Sequence, residues 1–408
     1  MGCEVNAFTE VPHRRGWVVM LLLDQYVRDA RVEKEAATLV RGGHRVTVLA
    51  WNRFGTSPLW EQRDGSEIER VGISCPSGVK WRMLLRLPRV YWWYFRRARA
   101  IPYDLLIAHD ILTWPLGWVL RLLKRRRTIF DAHEPYAEQL VGILPYARPL
   151  ELGFRWLEGF LARRADAVMT VTPRMVERYR GMRVRELFYL PNVPMANPEA
   201  VWKPTGRPDR LTIGRIGSIT PNYSGVEPLL EVGKALYAAG APVRVMIGGP
   251  VLAGWEPEFR RRIAECGQFA EYLGVVPVTQ VLAVVRQFDF MLSLRDLRPR
   301  KAAVYGYSTK IFEAMACGVP VLSTAAGEDY GLVQETGCGE IVPFPVDAKA
   351  LADRLVDLWR DEACRRRYGE NGLRAVRAQH RWQSYESAFL AFSIGQPLAA
   401  VAPAGAPT

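Results

Sequence analysis

Four residues near position 310 combine chemical types that suit a charged ligand. They lie in the stretch YGYSTKIFEAMACGVPVLST, residues 305–324. Ser308 and Thr309 stand where a helix is predicted to begin, and the free N–H groups of a helix N-terminus suit a phosphate. Lys310 adds a positive charge in the first turn, whereas Glu313 would accept hydrogen bonds from vicinal hydroxyls such as those of a ribose. The pattern indicates a nucleoside diphosphate site, and the alternative is a capped helix whose Glu313 only satisfies its own first turn.

Two histidines in the N-terminal half lie at the ends of apolar runs. His109 follows the run in 104–110, and His133 follows the run in 128–134. The carboxyl ends of parallel strands meet at one edge of a sheet, so both side chains could face the same cleft. A polar residue at a strand end can instead cap the next helix, and this alternative applies to both histidines.

The sequence holds no pattern that is typical of a metal site. No D-x-D triplet occurs, and the six cysteines are scattered without a CxxC pair. We therefore expect no metal, no other cofactor and no disulfide framework. Arginine and lysine side chains would then balance the charge of a phosphate ligand.

Apolar strands alternate with helical stretches along most of the chain, which predicts parallel sheets covered by helices on both faces. Strands are expected at 17–23, 45–51, 104–110, 128–134 and 166–172, and then at 211–219, 243–249, 269–276, 288–294, 319–324 and 339–344. A segment rich in Pro and Asn at 190–210 separates the two sets. The predicted fold class is α/β, with two Rossmann-like parallel-sheet domains that face a central cleft.

Length and composition are those of a multidomain globular protein. The chain has 408 residues, of which 49% are hydrophobic, and single cores rarely exceed roughly 300 residues. No apolar run is long enough to span a membrane, and the N-terminus lacks an apolar signal core, so we expect a cytoplasmic location.

The net charge of +13 favours anionic partners, although an arginine-rich composition can also reflect a GC-rich genome. Nucleic acid is not expected as a partner, because the arginines are dispersed and no binding motif appears.

The segment at 80–102 alternates aromatic and basic residues, in the sequence KWRMLLRLPRVYWWYFRRARAIP. Aromatic rings at headgroup level with arginines on anionic lipid would place it at a membrane surface, on the inner face of the cell membrane. The alternative is a kinked helix pair that packs on the N-terminal sheet and leaves its arginines in solvent.

Several segments, taken in order, resemble the retaining GT4 glycosyltransferases, which have the GT-B fold. The signature-like helix is STKIFEAMACGVPVLST, and it is preceded by DARVEKEAATLVRGGHRVTVLAW, YDLLIAHD, FDAHE, ADAVMTVTPRMVERYR, LPNVP, GRIGSI and YLGVVPVTQVLAVVRQFDFMLSL. The resemblance covers residues 17 to about 385. It implies a UDP- or GDP-sugar donor on the C-terminal domain, and transfer of the sugar with retention to an acceptor on the N-terminal domain, which is a glycan, a lipid-linked sugar or a secondary metabolite.

The resemblance also implies roles for individual residues. Catalytic roles fall on His109, Arg215, Lys310 and Glu313; donor binding on Gly217, Ser218, Gly274, Val275, Ser308, Thr309 and Ile311; and the acceptor side on Asp110, Asp131, His133 and Glu134. His109 matches the family's histidine slightly better than His133 does, and both remain candidates for the place beside the reacting sugar.

The chain departs from the family pattern at the phosphate site. Tyr305 stands where a second glutamate is common, and the usual lysine after the GR segment is replaced by ITPNYSG. Arg295, Arg298, Arg300 or Lys301 could replace that charge, or they could belong to a solvated loop. These losses leave open a second function, that of a non-catalytic GT-B partner subunit.

The domain boundaries follow from the predicted strands and helices and from the family resemblance. We expect an acceptor domain at 1–195, a linker at 196–210, a donor domain at 211–381, a helix at 382–394 that returns to the first domain, and a disordered tail at 395–408.

Overall fold

The structure is a computed structural model that describes residues 15–27, 29–75, 80–134, 136, 148–197, 199–204, 209–221, 223–252, 254–295, 306–325 and 327–396. These residues form two parallel-sheet α/β units, which confirms the predicted fold class. Predictions for Arg298, Arg300, Lys301, Tyr305 and the tail from 397 onward lie outside the described residues.

The first sheet has the strand order β3-β4-β2-β1-β5-β6-β7-β8. Its strands are β1 (Trp17–Leu21), β2 (Arg45–Trp51), β3 (Trp60–Arg63), β4 (Ser66–Val71), β5 (Leu105–His109), β6 (Arg127–Ala132), β7 (Ala167–Thr170) and β8 (Leu187–Tyr189). Neighbouring strands pair in parallel, except that β3 pairs with β4 in antiparallel register. Strands β3, β4 and β8 were not predicted, because their sequences are short and lack a continuous apolar run.

Helices cover both faces of this sheet. They are α1 (Ala30–Arg41), α2 (Lys80–Ala100), α3 (Asp110–Lys124), α4 (Arg148–Ala162) and α5 (Pro173–Gly181). Alternate residues of β1 point to opposite faces: Val18 and Met20 pack with the apolar stripe of α1, and Val19 and Leu21 pack with α2 and α3. A strand that is buried on both sides must be apolar throughout, which explains the continuous run that the sequence shows.

The second sheet has six parallel strands in the order β11-β10-β9-β12-β13-β14. They are β9 (Leu211–Ile216), β10 (Val243–Gly248), β11 (Ala270–Tyr272), β12 (Phe290–Ser293), β13 (Val321–Thr324) and β14 (Gly339–Val342). The helices that follow the chain in this half are α6 (Val226–Ala238), α7 (Glu256–Glu265), α8 (Val281–Val285), α9 (Thr309–Cys317), α10 (Asp329–Thr336), α11 (Ala348–Arg360) and α12 (Glu362–Ala378).

The last described helix, α13 (Glu386–Ser393), packs on the first domain. Just before it, the indole Nε1 of Trp382 donates a hydrogen bond to Thr38 Oγ1 of α1 at 2.9 Å. The ring of Phe392 stacks on Phe188 of β8 with centroids 4.7 Å apart. The chain therefore crosses between the domains twice.

Two glycines hold the end of β9 close to the end of β10. Gly249 has a φ of +135°, and a Cβ on it would lie 2.2 Å from the backbone oxygen of Gly217. A side chain at position 249 would therefore push the two strand ends apart. Gly217 belongs to the loop that follows Arg215, so this contact fixes one wall of the cleft.

Residues 80–100 form one continuous helix with Pro88 inside, rather than a pair of helices. Tyr94 is fully buried and donates a hydrogen bond to the backbone oxygen of Leu22 at 2.8 Å, and Trp93 packs partly buried on the same core. Trp92 is 61% exposed. Among the described residues, no helix is both long and apolar enough to cross a bilayer.

Candidate functional site

A cavity of about 1070 Å³ lies between the two domains, at the carboxyl ends of the strands. The residues that the sequence singled out and that line it are His133, Glu134, Ser218, Arg295, Thr309 and Glu313. Residues of α1, which the sequence analysis had not assigned to a site, form much of the opposite wall.

The carboxylate of Asp329 organises the start of α9. Its Oδ1 accepts a hydrogen bond from the backbone N–H of Ser308 at 2.6 Å, and its Oδ2 pairs with the guanidinium of Arg295. Lys310 Nζ in turn donates to Ser308 Oγ at 2.7 Å. These contacts hold Arg295 and Lys310 at the N-terminus of α9, next to Thr309.

Arg215 and Lys310 form a buried pair of cations beside the cavity wall. A Cβ on Gly217 would lie 3.7 Å from Lys310 Cε and 3.9 Å from Arg215 Nη2, so both side chains border this glycine. Arg215 Nη2 donates to the backbone oxygen of Ser218 at 3.1 Å, while its Nε and Nη1 find no hydrogen-bond partner among the described residues. Unpaired buried donors of this kind are suited to an anion.

Burial and mutual repulsion shift the pKa values of both cations. Burial lowers the pKa of Lys310 to about 7, and the nearby charges of Arg215 and Arg295 act in the same direction. Burial also lowers the pKa of Arg215 to about 10. Both shifts mean that positive charge is costly here until an anion arrives.

Glu313 faces the cavity one turn after Lys310. Within the described part of the chain, its carboxylate has no hydrogen bond or ion pair of its own, and burial raises its pKa although Lys310 and Lys34 oppose the shift. Lys34 lines the same cavity from α1, where its Nζ donates to Asn192 Oδ1 and Val193 O at 3.0 and 2.6 Å. Glu313 is therefore available as a hydrogen-bond acceptor.

Five of the seven residues assigned to donor binding are not among those that line this cavity: Gly217, Gly274, Val275, Ser308 and Ile311. The side chain of Ile311 is fully buried in the core. Gly274 lies after β11 with a φ of +72°, and its backbone oxygen accepts a hydrogen bond from Gly249 N at 2.8 Å. Val275 is partly exposed beside it.

In the N-terminal domain, Asp131 is the centre of a buried polar cluster. Its Oδ1 accepts from Arg31 Nη2 at 2.7 Å, and its Oδ2 accepts from Arg31 Nε at 3.0 Å. The Nδ1 atoms of His109 and His133 lie 2.9 and 3.2 Å from the same Oδ2. Because burial would raise the pKa of Asp131 but Arg31 and the histidines hold it well below its usual range, the carboxylate is ionised and both Nδ1 atoms donate.

His133 is on the cavity wall and His109 is behind it. His133 retains 18% exposure and has Asp110 Oδ1 at 3.2 Å from its Nε2. Burial alone would lower its pKa, yet the flanking carboxylates of Asp110 and Asp131 raise it to about 10, so the ring is an imidazolium. His109 is fully buried and contacts Asp131. Asp110 also accepts a hydrogen bond from Tyr136 Oη at 2.8 Å.

Glu35 is a buried acid that the sequence analysis missed. It is fully buried on α1, with one oxygen 3.0 Å from Arg31 Nε and the other 4.0 Å from His109 Nε2; neither contact is aligned as a hydrogen bond. Burial and the charge of Asp131 raise the pKa of Glu35 to about 7. The sequence did carry a signal, because Arg31 and Glu35 are an i,i+4 pair of opposite charge next to the apolar stripe of α1.

His109, Asp131 and His133 place one ligand atom each within 4.8 Å of one another, a spacing that a metal ion could bridge. The donor set does not favour a metal, however. Arg31 already occupies both oxygens of Asp131, and a doubly protonated His133 has no free lone pair.

The two domains meet at Glu328, next to α10. Its Oε1 accepts from the backbone N–H of Arg174 in α5 at 3.0 Å, and its Oε2 accepts from the backbone N–H of Gly306 at 2.9 Å. The contact links the start of α5 to the segment that leads into α9, and so joins both walls of the cavity.

Both halves of the chain match family models. Residues 29–192 match the glycosyl transferase 4-like domain, and residues 210–361 match glycosyl transferases group 1. The chain is 25% identical over 192 residues to a GDP-mannose-dependent monoacylated alpha-(1-6)-phosphatidylinositol monomannoside mannosyltransferase of Corynebacterium glutamicum, which covers 46% of this chain and 49% of that protein. It is 28% identical over 99 residues to the N-acetyl-alpha-D-glucosaminyl L-malate synthase of Bacillus anthracis, 24% of this chain and 26% of that one. The matches therefore span about half and about a quarter of these curated relatives.

Solved structures are similar over nearly the whole chain. Sucrose-phosphate synthase from Thermosynechococcus elongatus aligns with a TM-score of 0.69 at 17% identity, over 92% of this chain and 97% of that one. Anabaena HepE in complex with UDP-glucose aligns with a TM-score of 0.65 at 16% identity, over 92% and 98%. At these identities the similarity shows the fold, and it confirms the GT-B architecture that the sequence implied.

Replacing Arg31 by Met removes the cation that faces both Asp131 and Glu35. We expect the free energy of unfolding to fall by about 3–5 kcal/mol, because the buried carboxylates lose their partner. Arg41→Met on the same helix is the control: Arg41 pairs with Glu386 at the surface, so its loss should cost only about 0–1 kcal/mol. Urea denaturation measures both. Equal costs for the two variants would contradict the central role of Arg31.

Proposed function

Because this chain belongs to the GT4 family of GT-B glycosyltransferases, we propose that it transfers a sugar from a nucleotide-sugar donor to an acceptor hydroxyl. One observation carries the proposal: the carboxylate of Glu313, which has no hydrogen bond or ion pair among the described residues, lines one wall of the cavity with the cations Arg215 and Lys310 buried beside it, and the imidazolium of His133 lines the other wall. These groups match the ribose, the diphosphate and the transferred sugar of one ligand.

On the donor side, Glu313 accepts hydrogen bonds from the ribose hydroxyls, and the diphosphate lies against Lys310, Arg215 and the N-terminus of α9. The donor is a UDP- or GDP-sugar. Each of these nucleotides occurs in the name of one similar protein, the GDP-mannose-dependent mannosyltransferase and the HepE complex with UDP-glucose.

The chemical step builds negative charge on the leaving diphosphate as the bond from the anomeric carbon to the phosphate oxygen breaks. Arg215, Lys310 and the N–H groups of α9 stabilise that charge more in the transition state than in the ground state. Because these fixed cations balance the charge, the reaction needs no metal ion.

The acceptor hydroxyl attacks from the face that the diphosphate leaves, and its proton passes to the leaving phosphate oxygen, so the anomeric configuration is retained. The imidazolium of His133 faces the transferred sugar as a positive charge, and Asp110 and Asp131 hold its ring. His109 is a positioning residue that acts through Asp131. Glu134, on the same wall, binds the acceptor, which is a glycan or a lipid-linked sugar.

We place this activity in the cytoplasm. The described cysteines, Cys75, Cys266, Cys317, Cys338 and Cys364, are all unpaired and buried. Free thiols of this kind are typical of a reducing compartment.

Glu313→Ala should weaken binding of UDP or GDP by about 100-fold, since two hydrogen bonds to a charged acceptor are lost. The variant should also lose the preference of the unmutated protein for the ribonucleotide over its 2′-deoxy analogue. Glu335→Ala, an exposed glutamate in the same domain, is the control. Titration calorimetry measures the affinity of the unmutated protein and of both variants for each nucleotide. An unchanged affinity in Glu313→Ala would rule out the ribose role.

Nucleoside diphosphate affinity should depend on the protonation of Lys310. The free protein has a pKa of about 7 at this residue, and a bound diphosphate raises it. Affinity is therefore full below pH 7 and falls above it, by up to about tenfold per pH unit, until the pKa of the complex is reached. Calorimetry between pH 7 and 9 should show proton uptake that is absent in Lys310→Met. A flat profile in the unmutated protein would contradict this assignment.

Sugar transfer should continue in EDTA, because Arg215 and Lys310 supply the charge that a metal would otherwise supply. The measurement is product formation after extensive chelation, with magnesium or manganese added back. Activity that disappears in chelator and returns with either metal would show that the cations do not suffice.

A further inference from the structure

The large apolar side chains that are exposed on three neighbouring helices of the N-terminal domain include Leu85, Trp92, Leu112, Leu152 and Trp156, with exposures between 49% and 69%. We call them the apolar rim. From their position and the charge around them, we infer that the rim docks the protein onto an anionic lipid bilayer, next to the cavity mouth.

Helices α2 and α3 lie side by side and run in the same direction. Tyr91 Oη of α2 donates to the backbone oxygen of Leu112 near the start of α3, at 2.6 Å. Toward their other ends, Lys124 Nζ of α3 donates to the backbone oxygen of Ala98 of α2 at 3.3 Å. Trp92 and Leu112 therefore belong to one region of the surface.

Helix α4 runs in the same direction on the other side of α3. Trp114 Nε1 donates to the backbone oxygen of Leu161 at 2.8 Å, and further along Arg121 pairs with Asp166. Trp156 and Leu152 precede Leu161 by five and nine residues, which is about 8 and 14 Å along a helix. Both residues extend toward the end of α3 that holds Leu112.

That end of the helices adjoins the cavity. Helix α3 begins at Asp110, directly after β5, and Asp110 contacts His133 on the cavity wall. A bilayer against the rim would therefore lie beside the acceptor wall. The position of the acceptor rests on the proposed function, whereas the docking itself does not.

The charge of the surrounding surface complements anionic headgroups. Helix α2 has seven basic residues and no acidic one. Arg89 and Arg96, within one turn of Trp92 on the same helix, are exposed. Apolar side chains flanked by arginines are typical of surfaces that insert among acyl chains and bind anionic lipid. A soluble protein partner would not require this excess of positive charge.

The helix segment at 80–100 thus contains two kinds of aromatic residue. Trp92 projects outward, while Trp93 and Tyr94 pack against the sheet. Only the outward side chain contributes to docking, so the two neighbouring tryptophans respond differently to substitution.

The test is sedimentation of the full chain with phosphatidylcholine vesicles that do or do not contain phosphatidylglycerol. The rim variant is Trp92→Ser, Leu112→Ser and Leu152→Ser. The matched control is Leu59→Ser, Trp60→Ser and Leu252→Ser, which removes one tryptophan and two leucines of similar exposure elsewhere. Melting curves of both variants check the fold, and Trp93→Ala should lower the melting temperature because it removes core packing.

We expect the unmutated protein to bind the anionic vesicles, and to bind less at high salt because surface charges are screened. The rim variant should lose binding by about tenfold or more, and the control should retain it. Absence of vesicle binding, or equal loss in rim variant and control, would overturn the inference. The inference would also be overturned if the rim substitutions changed a dimer into a monomer, measured by sedimentation velocity, but left vesicle binding unchanged. Nucleoside diphosphate affinity, measured in the same samples, tests the donor site separately.

Discussion

The ion pair between Arg31 and Asp131 holds the N-terminal wall of the cavity together. Arg31 binds both oxygens of Asp131 and also donates to the backbone oxygen of Leu190 at 2.8 Å. One side chain therefore ties α1 to β6 and to the segment that leaves β8. Without that cation, Asp131 would carry a poorly compensated buried charge, and the two histidines that donate to it would lose the partner that fixes the orientation of their rings. The geometry of the cavity wall depends on this neutralisation.

The two walls of the cavity have opposite imbalances of charge. On the N-terminal side, carboxylates outnumber the fixed cations and keep His133 protonated. On the C-terminal side, Arg215 and Lys310 lie buried with too few anionic partners, and burial moves their pKa values downward. A ligand with a diphosphate at one end relieves the second imbalance. The C-terminal wall would therefore gain free energy from binding a diphosphate.

Local patterns in the sequence predicted all six strands of the second sheet, five of the eight strands of the first and the start of α9, because continuous apolar runs and helix-start signals act over a few residues. The polar cluster was only partly predictable. His109, Asp131 and His133 stood out at strand ends, but which histidine reaches the cavity depends on packing against Glu35 and Arg31, about 100 residues earlier in the chain. Likewise, the sequence does not distinguish Trp92 from its neighbour Trp93. Only the packing of α2 on the sheet determines that the ring of Trp92 is exposed and the ring of Trp93 is packed. The β3–β4 hairpin was missed because an edge strand with one solvent face carries no continuous apolar run.

The return of α13 to the first domain affects the order in which this protein is completed. The face of the N-terminal domain formed by α1 and β8 is covered by Trp382, Phe389 and Phe392, which leave the ribosome after the C-terminal domain has been made. Until then, the first domain to be synthesised presents an unfinished apolar face. Its final packing must wait until α13 has been made, and a nascent chain that stalls just after α12 would hold a complete C-terminal domain beside an N-terminal domain that still lacks part of its core.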